Sequence, residues 1–242
     1  MDVAGYVALT RQTGLRKEME TVANNIANIS TTGYQREGVV FAEMVQMLPT
    51  EGGSVAMTDA RGRYTDLLQG ALTPTGGSLD FAIEGNGYFT VMTPQGERLT
   101  RAGTFTRDAD GQVVNMDGHP LLDEGGGPIM IPFEATSINL ASDGTISADG
   151  EPVARLGLVM PTDPTQVFRE AGVLYRVDGD TEPLDPGQSR VVQGFVEESN
   201  VNAVTEMAHL IEVQRAYESG QKLLEMEHER ILQAVKSLGQ RA

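Results

Sequence analysis

The sequence predicts an α+β protein, with long α-helices at both termini and a central all-β domain of sandwich or barrel type. Three observations lead there. All eleven prolines fall between Pro49 and Pro186, and 23 of the 28 glycines lie within residues 36–200. Apolar residues recur with helical spacing in the two proline-free ends. Hairpin-type dipeptides punctuate the middle, with turn signals at intervals of about 8–12 residues.

The first element is a helix within residues 1–35. Ala8, Leu15, Met19, Val22, Ile26 and Ile29 recur at steps of seven, four, three, four and three, the a/d spacing of a helical seam. Thr31-Thr32-Gly33 is expected to stop it, since glycine takes a left-handed C-cap at least cost. Residues 36–70 read as a connector. A β domain follows over 71–183, with Asn86-Gly87, Asp110-Gly111, Asp117-Gly118, Asp143-Gly144 and Asp149-Gly150 as its turns. Runs of β-formers lie between and beyond them: Tyr88–Met92, Thr104–Arg107, Gln112–Asn115, Ile129–Ile131, Val153–Met160, Val173–Val177 and Val191–Val196. Residues 184–200 read as a second connector. In 201–242, Met207, Leu210, Gln214, Tyr217, Gln221, Leu224, His228, Ile231, Val235 and Leu238 step 3-4-3-4 without a break. Asn202 is the expected N-cap, with Glu206 in the first turn. A helix from about Ala203 to Leu238 would be roughly 54 Å long, too long for a compact domain of its own.

Composition removes several function classes. With 18 Lys+Arg against 34 Asp+Glu the formal net charge is −16, which argues against phosphate neutralisation and hence nucleic-acid binding. The absence of cysteine removes disulfides, thiolate metal sites and a thiol nucleophile. No run approaches the ~18 consecutive apolar residues of a spanning helix, and the start shows no Sec-type leader. Each end is close to neutral, so the middle supplies −15 of the charge.

Each terminal stripe needs a partner and is too narrow to form a core alone. Either the two ends pair as an intramolecular antiparallel hairpin, or they form an open interface filled by other copies. Heterologous contacts that do not close would then generate a fibre or tube. Polar residues within the stripes favour the second reading, because a buried amide among them fixes register. These are Asn24, Asn25 and Asn28 in the first helix, and Gln214, Gln221 and His228 at seven-residue intervals in the last. His228 reads as a seam residue bonded to a neighbour, not as a ligand.

At this point the residues carry a resemblance. Ala23-Asn24-Asn25-Ile26-Ala27-Asn28 with Thr31-Thr32-Gly33-Tyr34 resembles the N-terminal signature of the bacterial flagellar rod and hook proteins. Ser199-Asn200-Val201-Asn202, Glu206-Met207, Leu210-Ile211 and Gln214-Arg215-Ala216-Tyr217-Glu218 resemble their C-terminal one. The stretch Gly77–Phe89 and Thr100-Arg101-Ala102-Gly103-Thr104-Phe105, with Asp108 and Gly111 after it, is similar to the family as well. The resemblance runs from about Val3 to Lys236; Tyr34 stands where Phe is common. Short length and the opening Tyr6–Gln12 resemble the proximal-rod members more than the distal ones, and the larger insertions of hook proteins are missing.

The resemblance implies a structural subunit of the basal-body rod, with an inner layer of terminal helices from many copies and an outer layer of β domains. It implies other copies, other proximal and distal rod proteins and the flagellar type III export apparatus as partners. It also implies a place in the shaft crossing the periplasm, export without a Sec signal, and a role in passing torque from motor to hook. The residues expected at the assembly interface are Leu15, Met19, Val22, Asn24, Asn25, Ile26, Asn28, Ile29 and Gly33, together with the ten C-terminal stripe residues from Met207 to Leu238. The alternatives are a distal-rod or hook-type homologue and, in a different class, a secreted coiled-coil trimeric adhesin. A third is a carbohydrate-acting enzyme.

Motifs with chemistry all fail on context. Ser219-Gly220-Gln221-Lys222 matches S-x-x-K but lies mid-helix without companion motifs. His228-Glu229 lacks the second histidine of a zinc-protease helix, and Asp108-Ala109-Asp110-Gly111 has Gln112 where a calcium loop wants an acid. Gly85-Asn86-Gly87 lacks a third glycine, Gly125-Gly126-Gly127 precedes Pro128 instead of a helix, and the sequon Asn28-Ile29-Ser30 falls at a helix end. Glu197 and Glu198, adjacent on a strand, would point to opposite faces and cannot share one acid–base site. No catalytic residue, cofactor, metal or small-molecule substrate is expected.

Overall fold

The computed structural model describes residues 3–47, 54–170, 172–184 and 187–239, with side chains outside 3–7, 42–61, 234–235 and 237–239. The fold is α+β. Its elements are α1 (Val3–Ala27), β1 (Glu37–Met47), β2 (Ser54–Thr65), β3 (Leu72–Pro74), β4 (Phe81–Glu84), β5 (Tyr88–Thr93), β6 (Gly96–Thr100), β7 (Phe105–Arg107), β8 (Val113–Asn115) and β9 (Ile138–Leu140). They continue with β10 (Thr145–Ala148), β11 (Glu151–Arg155), β12 (Leu158–Pro161), β13 (Val167–Arg169), β14 (Leu174–Val177), β15 (Thr181–Pro183), β16 (Arg190–Gln193), β17 (Phe195–Glu197) and α2 (Ala203–Gly239). Two compact units result. One gathers residues 1–27, 37–66 and 202–242, the other residues 28–36 and 67–201.

In the first unit α1 packs antiparallel to α2 and also against the β1–β2 hairpin. The connector expected over 36–70 therefore carries two long strands. Val39-Val40-Phe41 and Val45 are strand formers, and no Gly or Pro interrupts residues 39–48, which is the signal that a connector reading overlooks. Pairing runs from Glu37↔Thr65 to Met47↔Ser54, with a register shift between Val40 and Phe41. Gly38 faces Tyr64, whose ring occupies the space of the missing side chain; a Cβ there would lie 2.3 Å from it. α2 begins as expected: Asn202 Oδ1 accepts from the Thr205 N–H at 3.1 Å and its carbonyl accepts from the Glu206 N–H at 3.0 Å.

The second unit is nearly all β. Its largest sheet has the antiparallel order β13-β14-β6-β5-β12-β15. A three-stranded sheet, β11-β10-β9, and the pairs β16-β4, β17-β3 and β7-β8 complete it. Alternation along β5 explains how both sheet faces are covered. Phe89 and Val91 enter the main core with Phe81, Ile83, Phe105, Val113, Leu121, Ile129, Ile131, Ile146 and Leu156. Tyr88 points the other way, to a smaller cluster with Leu99 and Tyr175. The Phe89 and Phe105 rings meet edge to face at 5.6 Å.

The turns correct one expectation. Only Asp149-Gly150, the two-residue link from β10 to β11, has both central φ values positive, at 50° and 88°. The neighbouring turns use a different device, repeated three times. Oδ1 of Asp108, Asn115 and Asp123 each accepts from the N–H groups two and four residues ahead, at 2.8–3.0 Å. The third residue on, Gly111, Gly118 or Gly126, takes φ of 86°, 82° or 80°. The Asp108 oxygen is thus engaged by its own backbone, as a hairpin turn requires.

Candidate assembly interface

The expected interface residues sit on α1, on α2 and in the segment after α1. In α1, Val22 and Asn25 are buried, Leu15, Met19 and Ile26 are half-buried, and Asn24 is exposed. Asn25 is the centre of the first unit's polar interior. It is fully buried, its Nδ2 donates to the Glu37 carbonyl at 2.8 Å and to Glu206 Oε2 at 3.1 Å, and its Oδ1 accepts from the Glu37 N–H at 3.0 Å. One amide thereby ties the end of α1 to the start of β1 and to the first turn of α2. Only a group that both donates and accepts can do this, which is the physical content of the amide pattern.

The two helices make further polar contacts along their length. Gln12 Nε2 donates to the Tyr217 carbonyl at 2.9 Å. Gly220 makes room for it, since a Cβ at that position would lie 2.1 Å from the Gln12 amide nitrogen. His209 Nε2 lies 3.0 Å from Glu18 Oε1. The termini therefore do not stay apart in the single chain, contrary to the expectation of an open interface on both stripes. Among the described side chains of α2 the buried ones are Glu206 and Val213, in line with Gly220, one residue ahead of the expected seam.

That shift sorts the C-terminal stripe. Leu210, Tyr217 and Leu224 are half-buried, whereas Met207, Gln214, Gln221, His228 and Ile231 are exposed. Gln214 bonds along the helix to Glu218 at 3.1 Å. Val235 and Leu238 lie outside the described side chains. Exposed apolar residues remain beside the pairing face: Val204 (79% exposed), Met207 and Ile211 at steps of three and four, and Leu223 with Met226. Apolar periodicity alone misses this division. It is set by Gln12, Asn25, Glu206 and Gly220, polar or side-chain-free residues that decide where the helices touch.

The remaining expected residues belong to the second unit. Asn28 Oδ1 accepts from the Thr31 hydroxyl at 3.1 Å, and Ile29 is half-buried. Gly33 has φ +69°, but α1 has already ended at Ala27. Its conformation serves a close approach and not a helix cap: a Cβ would lie 2.2 Å from the Ala102 nitrogen.

The weighed catalytic candidates find structural roles. Glu198 is exposed and accepts from the Thr73 hydroxyl at 2.8 Å, while Glu197 is buried against Arg101, Nη1 to Oε2 3.1 Å. Burial pushes the Glu197 carboxyl upward, and the Arg101 guanidinium and the Gly70 N–H pull against that rise. Among the described residues no three His, Asp or Glu groups are placed to hold a metal ion, and no helix is long and apolar enough to cross a membrane.

Comparison with known proteins decides the relationship. Residues 6–35 match the model described as Flagella basal body rod protein, residues 82–148 the Flagellar hook protein FlgE/F/G D1 domain, and residues 192–237 the Flagellar basal body rod FlgEFG protein C-terminal. The flagellar basal-body rod protein FlgF of Caulobacter vibrioides is 41% identical over 242 residues, covering 99% of both chains. The chain belongs to the flagellar basal-body rod family. FlgF of Mesorhizobium japonicum is 37% identical over 98% of both chains. FlgG of Bacillus subtilis is 30% identical over 96% of this chain and 97% of its own. Within the rod family the chain is most like FlgF. The first matched block holds Gln12 and Asn25 and the last holds Glu206, Tyr217 and Gly220, so the helix-to-helix contacts fall within the rod-family matches, whereas Glu37 lies between the matched blocks.

Proposed function

We propose that the chain is a structural, non-enzymatic subunit of the bacterial flagellar rod. Its terminal helices assemble with other copies and with other proximal and distal rod proteins into the helical inner layer of a tubular drive shaft. The shaft crosses the periplasm and transmits torque from motor to hook. The observation that carries this reading is the apolar face that α2 keeps outside its pairing with α1, in a member of the rod family. Each such Val, Leu or Met gains about 1.5–3 kcal/mol on full burial, so a handful covered by a neighbour supplies a substantial contact. A repeated heterologous contact that does not close is what builds a tube. The acidic middle of the chain supports an outward place for the β unit, where like charge keeps neighbouring bodies from associating. Export through the flagellar type III apparatus completes the proposal: a chain without cysteine meets no disulfide obstacle to threading.

The test is the double variant Met207→Glu, Ile211→Glu, expressed in a motile strain that lacks its own copy. Both side chains are exposed in the single chain, so its melting temperature should hold. Cells are expected to export the protein, to lack it in isolated basal bodies and to stop swimming. Normal incorporation and normal swimming would refute assembly through this face.

A further inference from the structure

The segment between α1 and β1 is not a part of the helical unit. Residues 28–36 belong to the β unit, separated from its next residue, Leu67, by the whole β1–β2 hairpin. Tyr34 and Gln35 are buried there, at 2% and 1% exposure. The segment is held at widely spaced points. The Gly33 N–H donates to the Glu197 carbonyl at 2.7 Å, and the Tyr34 carbonyl accepts from the Asn200 N–H at 3.3 Å. The Arg36 N–H donates to Asn200 Oδ1 at 2.6 Å. Gln35 Oε1 accepts from the Tyr88 hydroxyl at 3.1 Å, and the Gln35 carbonyl accepts from the Arg169 guanidinium, which lies 4.0 Å above the Tyr34 ring.

What lies beneath explains the arrangement. Tyr88 is buried and sits 5.3 Å below the Arg101 guanidinium. Arg101 in turn pairs with buried Glu197 and donates to the Gly85 carbonyl at 2.9 Å. A dry interior strengthens such an ion pair, and hydrogen bonds to the groups around it offset its desolvation. Gln35 supplies the partner of the Tyr88 hydroxyl from above. The segment therefore joins β5, β13 and the end of β17 across a charged interior.

We infer that residues 31–36 form a strap that locks the β unit: seated, it seals the Tyr88–Arg101–Glu197 cluster from water, and unseated, it lets the surrounding strands open. In sequence the strap runs between α1 on one side and β1 on the other. Gly33 is the seating point, because a side chain there meets both a positive φ and the backbone of Ala102.

Hydrogen exchange on the full chain tests this. With Gly33→Ala, amides of β5 and β14, remote in sequence, are expected to exchange about tenfold faster or more, while α2 amides near Val213 keep their rates. Gln35→Ala is the milder probe should Gly33→Ala fail to fold, and its effect on β5 should largely vanish in a Tyr88→Phe background, where the shared bond is already gone. Faster exchange confined to residues 28–36 would overturn the strap, as would equal acceleration in β5 and α2. Full additivity of Gln35→Ala and Tyr88→Phe would do the same.

Discussion

Replacing Asn25 by Ala removes three hydrogen bonds from a fully buried site. Two join neutral groups, the amide and the Glu37 backbone, and each contributes about 1 kcal/mol net. The third reaches the Glu206 carboxylate and contributes about 1.5–3 kcal/mol. The expected loss is about 3–5 kcal/mol, a large part of the ~5–15 kcal/mol that holds a typical domain. The helices belong to the same unit as Asn25, so urea unfolding followed by far-ultraviolet circular dichroism reads the affected part. Asn25→Asp separates geometry from charge. It keeps an acceptor for the Glu37 N–H but sets a carboxylate against Glu206. Like charge raises the folded-state pKa of the introduced carboxyl, so stability lost at neutral pH should return in part as pH falls. Asn25→Ala removes one donor from Glu206 without adding a charge, so its recovery should be smaller. A loss below about 1 kcal/mol for Asn25→Ala, or an Asn25→Asp variant as stable as the parent at neutral pH, would refute the junction.

Three further outcomes are expected. Gly220→Ala gains about 0.5–1 kcal/mol of helix propensity but displaces the Gln12 amide, so it should be near neutral in the parent and clearly stabilising in a Gln12→Ala background; circular-dichroism melting of both pairs checks the sign. Gly103→Ala would place a Cβ 1.6 Å from the Phe81 carbonyl oxygen, a rigid backbone atom, and should cost at least about 3 kcal/mol in urea unfolding of the β unit. Asp149 accepts from the Thr136 and Ser137 N–H groups and their hydroxyls, and these bonds, that from the Ser137 N–H foremost, hold its carboxyl below the ordinary value. Its stabilisation is present above the unfolded-state pKa, about 3.9, and is lost as pH falls through the lower folded value. Asp149→Asn should therefore lower the urea midpoint at pH 6 and narrow its gap to the parent in that acid window.

The terminal helices were legible because apolar spacing and an N-cap are local: Asn202 and the stripe after it fix α2 without reference to the rest of the chain. That neighbouring Glu197 and Glu198 diverge, one buried and one exposed, was legible for the same reason. The β1–β2 hairpin was missed because Gly-Gly and Pro near its tip look like a linker when strand pairing is not yet known. Several short strands, such as β4 and β6, were missed because three to five residues give periodicity little to act on.

The sequence by itself determined the class of the fold, the two helices, the glycine-marked turns and the family signatures, because each depends on residues close together in the chain. Only the tertiary structure decided which face of α2 is covered and which stays open. That choice rests on Gln12 against Gly220 and on Asn25 against Glu206, contacts between residues about two hundred apart, where hydrogen-bond geometry outweighs apolar spacing. The tertiary structure likewise moved residues 28–36 out of the helical end and into the β unit, because Tyr34 and Gln35 find there the partners that a helix end cannot supply.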